Sequence, residues 1–239
     1  EDFCPKWKIT YHNWLSIRKG RKVLKHLDSF NKPVFLVPGN WDHSPHQDGC
    51  GDLMTGGKRN GWNKVIKGFK NIQDIEFKSV TFRGINLIGH GSTSAPETMK
   101  KPLKKNFKET HKDYNRELKR YNFFSKVHKK LKKYFQKEQE GPIILLTHNV
   151  PYGTKLDKIK APKTYAHNKH AGSILAKNLI DEFQPMLCIG GHIHEGFGKV
   201  KIKKTLAINA GFGDDLNTIV SIDTKKKKVV DIEFLGENQ

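Results

Sequence analysis

The chain has 239 residues, 36% hydrophobic and 28% charged, which suits a globular protein with one substantial core. No apolar run reaches the ~18 residues that a membrane span requires, so we expect no membrane association. The three cysteines are too few and too scattered for a disulfide framework, and residues 1–8 have no signal-peptide pattern. We therefore expect a cytoplasmic protein with a single domain spanning residues 1–239.

The net charge of +20 is concentrated in one part of the chain. Between Lys100 and Glu140, thirteen lysines and two arginines face five acids, which gives half of the excess. Such a surface could dock nucleic acid through Lys100 to Lys137, with binding that weakens as salt is added. It could equally be the solvated face of a lysine-rich helix. The sequence leaves both interpretations open.

Hydrophobic periodicity divides the chain into helices and strands. We expect helices at residues 16–30, 63–68, 103–139 and 173–183, the last with Ser173 as its N-cap. We expect strands at 33–37, 75–82, 85–89, 143–146 and 186–189, the first of them buried on both faces. Residues 200–206, 207–210, 218–222 and 229–234 alternate as antiparallel edge strands do, with a turn at 225–228.

Several of these strands end in a loop that carries a metal-binding type of side chain. Asn40 and Asp42 follow the first strand, His148 follows 143–146, and His192 and His194 follow 186–189. Because strand ends meet at one crevice in α/β sheets, these groups should converge. Amide, carboxylate and imidazole together suit a divalent ion. Two such ions can activate a water for attack on phosphorus, which predicts phosphoester hydrolysis.

Three of these motifs resemble the calcineurin-like metallophosphoesterase superfamily: Gly39-Asn40-x-Asp42, Thr147-His148 and Gly191-His192-x-His194. The resemblance implies an α/β fold, a β-sandwich flanked by helices in four αββα layers, with a basic helical insertion at about residues 98–140. It also implies two divalent ions (manganese, iron, zinc or nickel), with Asn40, His148 and His192 as ligands of the second and His194 of the first. The expected activity is hydrolysis of phosphomonoesters or phosphodiesters.

Two departures from the family pattern concern the first metal and the proton donor. The Asp-x-His and Gly-Asp motifs are not intact. Asp2 stands about where the bridging aspartate is expected, which would place the Asp-x-His strand before residue 1. Asp2 is either that ligand or a solvent-exposed acid. Trp41 occupies the position of the family's proton-donating histidine, and indole cannot perform this role.

We therefore assign catalytic roles to Asp42 and His43, and substrate contacts to His90 and Trp41. His43, His46 and His90 are the candidate proton donors, and each is equally consistent with a hydrogen-bonded loop residue. Two other functions stay open. The protein could be a nuclease that docks nucleic acid on the basic helix, or a catalytically impaired scaffold for a protein partner.

Overall fold

The computed structural model describes residues 11–40, 42, 60–91, 93, 96–106, 111–137, 141–162, 164–213 and 216–236. The α-helices in these ranges are α1 (Tyr11–Ser29), α2 (Asn60–Ile66), α3 (His111–Lys137) and α4 (Ile174–Phe183). The first strands are β1 (Val34–Leu36), β2 (Ile72–Asp74), β3 (Ser79–Phe82), β4 (Ile85–His90) and β5 (Ile143–Asn149). The later strands are β6 (Leu187–Gly191), β7 (Gly198–Ile202), β8 (Thr205–Asn209), β9 (Asn217–Asp223) and β10 (Lys228–Leu235). Short 3₁₀ turns lie at Lys104–Asn106 and His194–Gly196.

A six-stranded sheet in the order β3-β4-β5-β6-β8-β7 lies at the centre. β4, β5, β6 and β8 run parallel, and the two edge strands β3 and β7 run antiparallel to their neighbours. The register places His90 opposite Thr147, and Gly190 opposite Asn209. The carboxyl ends of the parallel strands therefore meet at one edge, where polar side chains can converge.

The two faces of this sheet are covered by different elements. On one face, α3 and α4 pack against Ile88, Leu145 and Cys188 through an apolar cluster that includes Phe124, Leu131 and Leu179. On the other face, the antiparallel pair of β9 and β10 covers Ile144, Leu187 and Ile208. Successive strand residues point to opposite faces, so strands covered on both sides carry continuous apolar runs.

The first helices and strands form a smaller unit beside the sheet. α1 packs on α2, and the guanidinium of Arg21 donates hydrogen bonds to the carbonyls of Lys64, Val65 and Lys67 at 2.8, 3.0 and 2.8 Å. This satisfies carbonyls at the C-terminal end of α2, where a helix leaves them unpaired. β1 and β2 pair in parallel, and a bridge between Glu76 and Gly89 connects this unit to β4.

The mixed α/β architecture predicted from the sequence is confirmed, and so is the Ser173 N-cap of α4. The apolar stripe of the basic helix is core packing, since Phe124, Val127 and Leu131 are buried. α3 lies in the chain between the neighbouring parallel strands β4 and β5, which is the usual place of a crossover helix. Within the described residues, every helix is too short or too polar to cross a membrane.

Several element predictions were wrong in detail. α1 begins at Tyr11, before the predicted start at residue 16, and β2 was not predicted. The first strand has three residues and is only partly buried, since β2 is its only partner strand among the residues that the structure describes. The predicted strand at 200–206 is interrupted by a turn at 203–204. β8 is an internal strand parallel to β6, whereas an antiparallel edge strand was expected there.

Candidate metal centre

Three side chains from distant parts of the chain meet at the carboxyl edge of the sheet. Nε2 of His148 lies 2.8 Å from Asn40 Oδ1 and 3.0 Å from His192 Nδ1. Asn40 follows β1, His148 lies in β5, and His192 follows β6. The structure thus brings together the three residues predicted to ligate the second metal ion.

Asn40 is held in place by a short turn closed by Asp42. Gly39 N–H donates to Asp42 Oδ2 at 2.8 Å, and Asn40 and Asp42 are each 4% exposed. Gly91 packs against this loop so closely that a Cβ there would lie 2.4 Å from the carbonyl oxygen of Pro38. Asp42 therefore shapes the loop that presents Asn40, and a catalytic role for its carboxylate stays a prediction.

His192 has a left-handed backbone conformation, with φ of 70°. This costs a non-glycine residue about 1 kcal/mol or more, so the surrounding contacts must hold it. Asn209 Nδ2 donates to the carbonyl oxygen of Ile193 at 2.7 Å, and Ile193 N–H donates to Gly191 O at 2.8 Å. The turn after β6 is therefore fixed in the conformation that directs the His192 ring toward His148.

The contacts around His148 Nε2 fit a cation better than they fit hydrogen bonding alone. A ring nitrogen carries at most one proton, so only one of its two contacts can be a conventional hydrogen bond from His148. Two ligands each about 2.1 Å from one ion and at right angles are about 3.0 Å apart, close to the observed separations. One amide oxygen and two imidazole nitrogens are also donors that borderline divalent ions accept.

The protonation state of His148 supports the same interpretation. Burial lowers its pKa well below the ordinary value of 6.5, and nearby His192, His90 and His194 lower it further. A neutral imidazole keeps a lone pair for a metal ion. Within the described residues, no group of three or more histidine, cysteine, aspartate or glutamate side chains could hold an ion. The cluster found here consists of two imidazoles and an amide.

His194, predicted for the first metal, lies at the same edge. Its ring stacks on Phe212 with centroids 4.7 Å apart, and its side chain is more exposed than that of His192. Its position on a short 3₁₀ turn is fixed by Gly196, where a Cβ would lie 1.8 Å from Leu156 O. The other predicted site residues Asp2, Trp41 and His43, and the candidate donor His46, lie outside the described residues.

His90 belongs to a different environment from the one predicted for a substrate contact. It is opposite Thr147 in the sheet register, so its side chain lies on the face opposite that of His148. It is 1% exposed, and its Nε2 lies 3.3 Å from Glu97 Oε1. Ser173 Oγ donates to Glu97 at 2.6 Å and Leu175 N–H at 3.1 Å. We therefore infer that His90 and Glu97 anchor the N-terminus of α4.

Two buried carboxylates near this edge, Glu97 and Asp157, were not among the predicted site residues. Asp157 is fully buried and lies 2.8 Å from Nδ1 of His170. A buried acid needs a hydrogen-bonding or charged partner. Apolar neighbours in the sequence, such as Leu156, could have indicated that Asp157 is buried and therefore paired. Its histidine partner is thirteen residues away in an irregular loop, and no periodic pattern connects them.

Comparisons with solved structures agree with this fold. One solved crystal structure is 18% identical, covering 94% of this chain and 74% of its own, with a TM-score of 0.57. The protein TT1561 of Thermus thermophilus is 16% identical, covering 99% and 83%, with a TM-score of 0.53. Both likenesses show the fold. No curated protein is significantly similar in sequence.

The model of one protein family matches most of the chain. It is described as calcineurin-like phosphoesterase, and the match covers residues 10–196, which include Asn40, His148, His192 and His194. Members of this family are in general metal-dependent hydrolases of phosphoesters and typically use two divalent ions. The protein belongs to the calcineurin-like phosphoesterase family.

Proposed function

We propose that this protein hydrolyses phosphomonoesters or phosphodiesters at a centre built on Asn40, His148 and His192. The observation that supports it most is the shared position of His148 Nε2, 2.8 Å from an amide oxygen and 3.0 Å from a second imidazole. One proton on this nitrogen cannot satisfy both neighbours, whereas one bound ion can accept all three donor atoms. A pure protein-binding scaffold has no need for such a cluster.

The cofactor we propose is a pair of divalent ions. Asn40, His148 and His192 would hold one ion, and His194 with Asp2 would contribute to the other. When bound, such ions lower the pKa of a coordinated water and offset the negative charge that develops at phosphorus. The chain's own contribution is to fix the donor atoms, since β5, β6 and the Asp42-closed turn place them before any ligand arrives.

A small phosphoester fits the structure better than nucleic acid docked on the basic helix. The lysine-rich end of α3 lies beside the C-terminal end of α4, where Lys132 Nζ is 2.6 Å from Glu182 Oε1 and Phe135 stacks on Phe183. The N-terminus of α4 faces the metal-ligand edge through Glu97 and His90. The ten residues of α4 separate the two ends by about 15 Å.

Metal analysis combined with hydrolysis assays tests the proposal. The chain is purified with manganese, zinc, iron or nickel, and its metal content and turnover of para-nitrophenyl phosphate and bis(para-nitrophenyl) phosphate are measured. We expect His148→Ala and His192→Ala each to lower metal affinity at least ~10-fold and to abolish most turnover. His167→Ala is the matched control, because His167 is an exposed loop histidine.

The outcomes separate a phosphoesterase from a catalytically impaired scaffold. Metal binding with turnover supports a phosphoesterase. Metal binding without turnover of any phosphoester favours the catalytically impaired scaffold. Equal metal content in the unsubstituted protein and in His148→Ala would contradict the assigned centre.

The same proposal includes a cytoplasmic location, a single domain over residues 1–239 and a helical insertion at 98–140.

A further inference from the structure

The loop after β5 contains a histidine that a buried carboxylate holds in one orientation. Asp157 is fully buried and accepts hydrogen bonds from the backbone N–H groups of Gly153, Thr154 and Gly172 at 3.0, 2.8 and 3.0 Å. Its Oδ1 lies 2.8 Å from Nδ1 of His170. A carboxylate at this distance keeps the proton on Nδ1, so Nε2 is the nitrogen that can exchange a proton with another group.

Several contacts fix the carboxylate itself. A Cβ at Gly172 would lie 2.8 Å from Asp157 Oδ2, so only glycine allows the backbone to approach this closely. Because the carboxylate is fixed by backbone donors, it acts on His170 as a rigid partner. Such an arrangement of carboxylate and imidazole is the one that orients a histidine for proton transfer.

Two contacts link the loop that carries this pair to segments that carry candidate metal ligands. Leu156, the residue before Asp157, packs its carbonyl oxygen against Gly196 in the turn that carries His194. Asn149, the residue after His148, donates from Nδ2 to the carbonyl oxygen of Ala171 at 2.8 Å. His170 therefore stands on a loop segment attached on one side to the His148 strand and on the other to the His194 turn.

His170 is also reachable from solvent. Its side chain is 36% exposed, while that of Asp157 is 0% exposed. The groups that face it are the carboxylate of Asp157, the ring of Tyr152 with centroids 5.7 Å away, and Lys158, its partner in an antiparallel bridge. Nδ1 of His170 is hydrogen-bonded to a buried carboxylate, and the rest of the ring is accessible to solvent. The ring can therefore contact a bound molecule.

We propose that His170 is the proton donor to the leaving group, with Asp157 as its positioning residue; this rests on the proposed phosphoesterase function. It supplies the group that Trp41 cannot supply. As a water oxygen forms its bond to phosphorus, the bond from phosphorus to the leaving oxygen breaks. The imidazolium gives its Nε2 proton to that oxygen and becomes neutral. The proton lost by the water returns the ring to its charged form through solvent.

Leaving groups of different basicity provide the test. The metal-loaded protein and His170→Gln are compared on para-nitrophenyl and phenyl esters of phosphate, as monoesters and diesters. Phenolate, whose conjugate acid resembles tyrosine with a pKa of about 10, needs the donated proton more than nitrophenolate does. We expect His170→Gln to lower kcat about 100-fold or more on the phenyl esters and only a few-fold on the para-nitrophenyl esters.

Matched measurements separate this role from a structural one. His167→Gln, in the same loop, should leave all rates within about twofold. The metal content of His170→Gln should equal that of the unsubstituted protein. Equal losses on both ester classes, or no loss, would overturn the role of His170 while leaving the phosphoesterase function in place. An unsubstituted protein that binds metal but turns over none of these esters would overturn the proposed function and this inference together.

Discussion

Glu97 is a carboxylate enclosed in the protein interior, and its charge depends on three donors. Burial by itself raises the pKa of a carboxyl group, but the bonds from His90, Ser173 Oγ and Leu175 N–H outweigh it and lower the pKa of Glu97 below 4.5. A carboxyl group whose pKa is lower in the folded protein than in the unfolded chain makes its full contribution to stability at pH values above the pKa of the unfolded chain. This contribution is lost as the pH falls below about 4.5.

The stability of the protein in acid should depend on Glu97. Glu97→Gln should lower the free energy of unfolding by about 2 kcal/mol at pH 6, because a neutral amide replaces a charge with three partners. The difference from the unsubstituted protein should shrink as the pH falls toward 3.5. Urea unfolding at several pH values measures this. Glu233→Gln is the control, since Glu233 is exposed, and a loss independent of pH would contradict the ionised state of Glu97.

The sequence predicted which side chains meet at the carboxyl edge of the sheet better than it predicted the residues that support them. Asn40, His148 and His192 each lie in a polar motif at or after the end of a strand. This position was enough to predict that they converge. Glu97 lies 76 residues from Ser173 and 78 from Leu175, and only the folded chain brings them together. Pairs such as these have no local pattern, so the contact between His90 and Glu97 could not be predicted from the sequence.

At the scale of elements, α3 contains a buried imidazole nitrogen, Nε2 of His128, that has no hydrogen-bond partner among the described residues. Burial lowers the pKa of His128, and the charge of Lys132 lowers it further. The folded protein therefore disfavours the protonated ring of His128. The free energy of unfolding is unaffected by this group above pH 6.5, and it declines below pH 6.5 because the unfolded chain binds a proton there more readily.

His128→Leu should therefore stabilise the protein. We expect the free energy of unfolding to rise by about 1 kcal/mol at pH 7.5, because a buried unpaired nitrogen is replaced by an apolar group. The gain should be larger at pH 5.5. Thermal or urea unfolding at both pH values gives the measurement, with His167→Leu as the exposed control. A gain that is smaller at pH 5.5 than at pH 7.5 would contradict the lowered pKa.

Element predictions succeeded where burial and periodicity agree. β4, β5 and β6 carry continuous apolar residues because both of their faces are covered, and their positions were predicted. β8 was misassigned because Thr205 and Asn209 are buried polar residues at its ends, which makes an internal strand look like a half-exposed one. β1 was predicted as fully buried because the sequence does not reveal that its only partner strand, among the described residues, is β2.

At the scale of the molecule, the net charge of +20 is not localised at the candidate centre. Lys126, Lys129, Lys130 and Lys133 lie exposed along α3, toward the end of the helix that packs on Phe183. A cationic face of this kind attracts polyanions without regard to sequence. This cationic face lies at the far end of α4, so a polyanion bound there is remote from the candidate metal centre.

Reversing these four charges to glutamate should affect only polyanion binding. We expect retention on heparin to shift to a markedly lower salt concentration, because four cations become anions. Turnover of bis(para-nitrophenyl) phosphate should stay within about twofold of the unsubstituted protein. A parallel loss of turnover would show that α3 takes part in substrate docking and would support the nuclease function.

The candidate centre is assembled from distant segments, since Asn40 and His192 lie 108 and 44 residues from His148. An unfolded chain does not hold these three donors together, so an ion binding them favours the folded state by mass action. At 100 times its dissociation constant, an ion would add about 2.7 kcal/mol, a sizeable share of the total stability of a typical domain. Under the proposed function, the supply of metal in the surroundings would also set how much of the protein is folded.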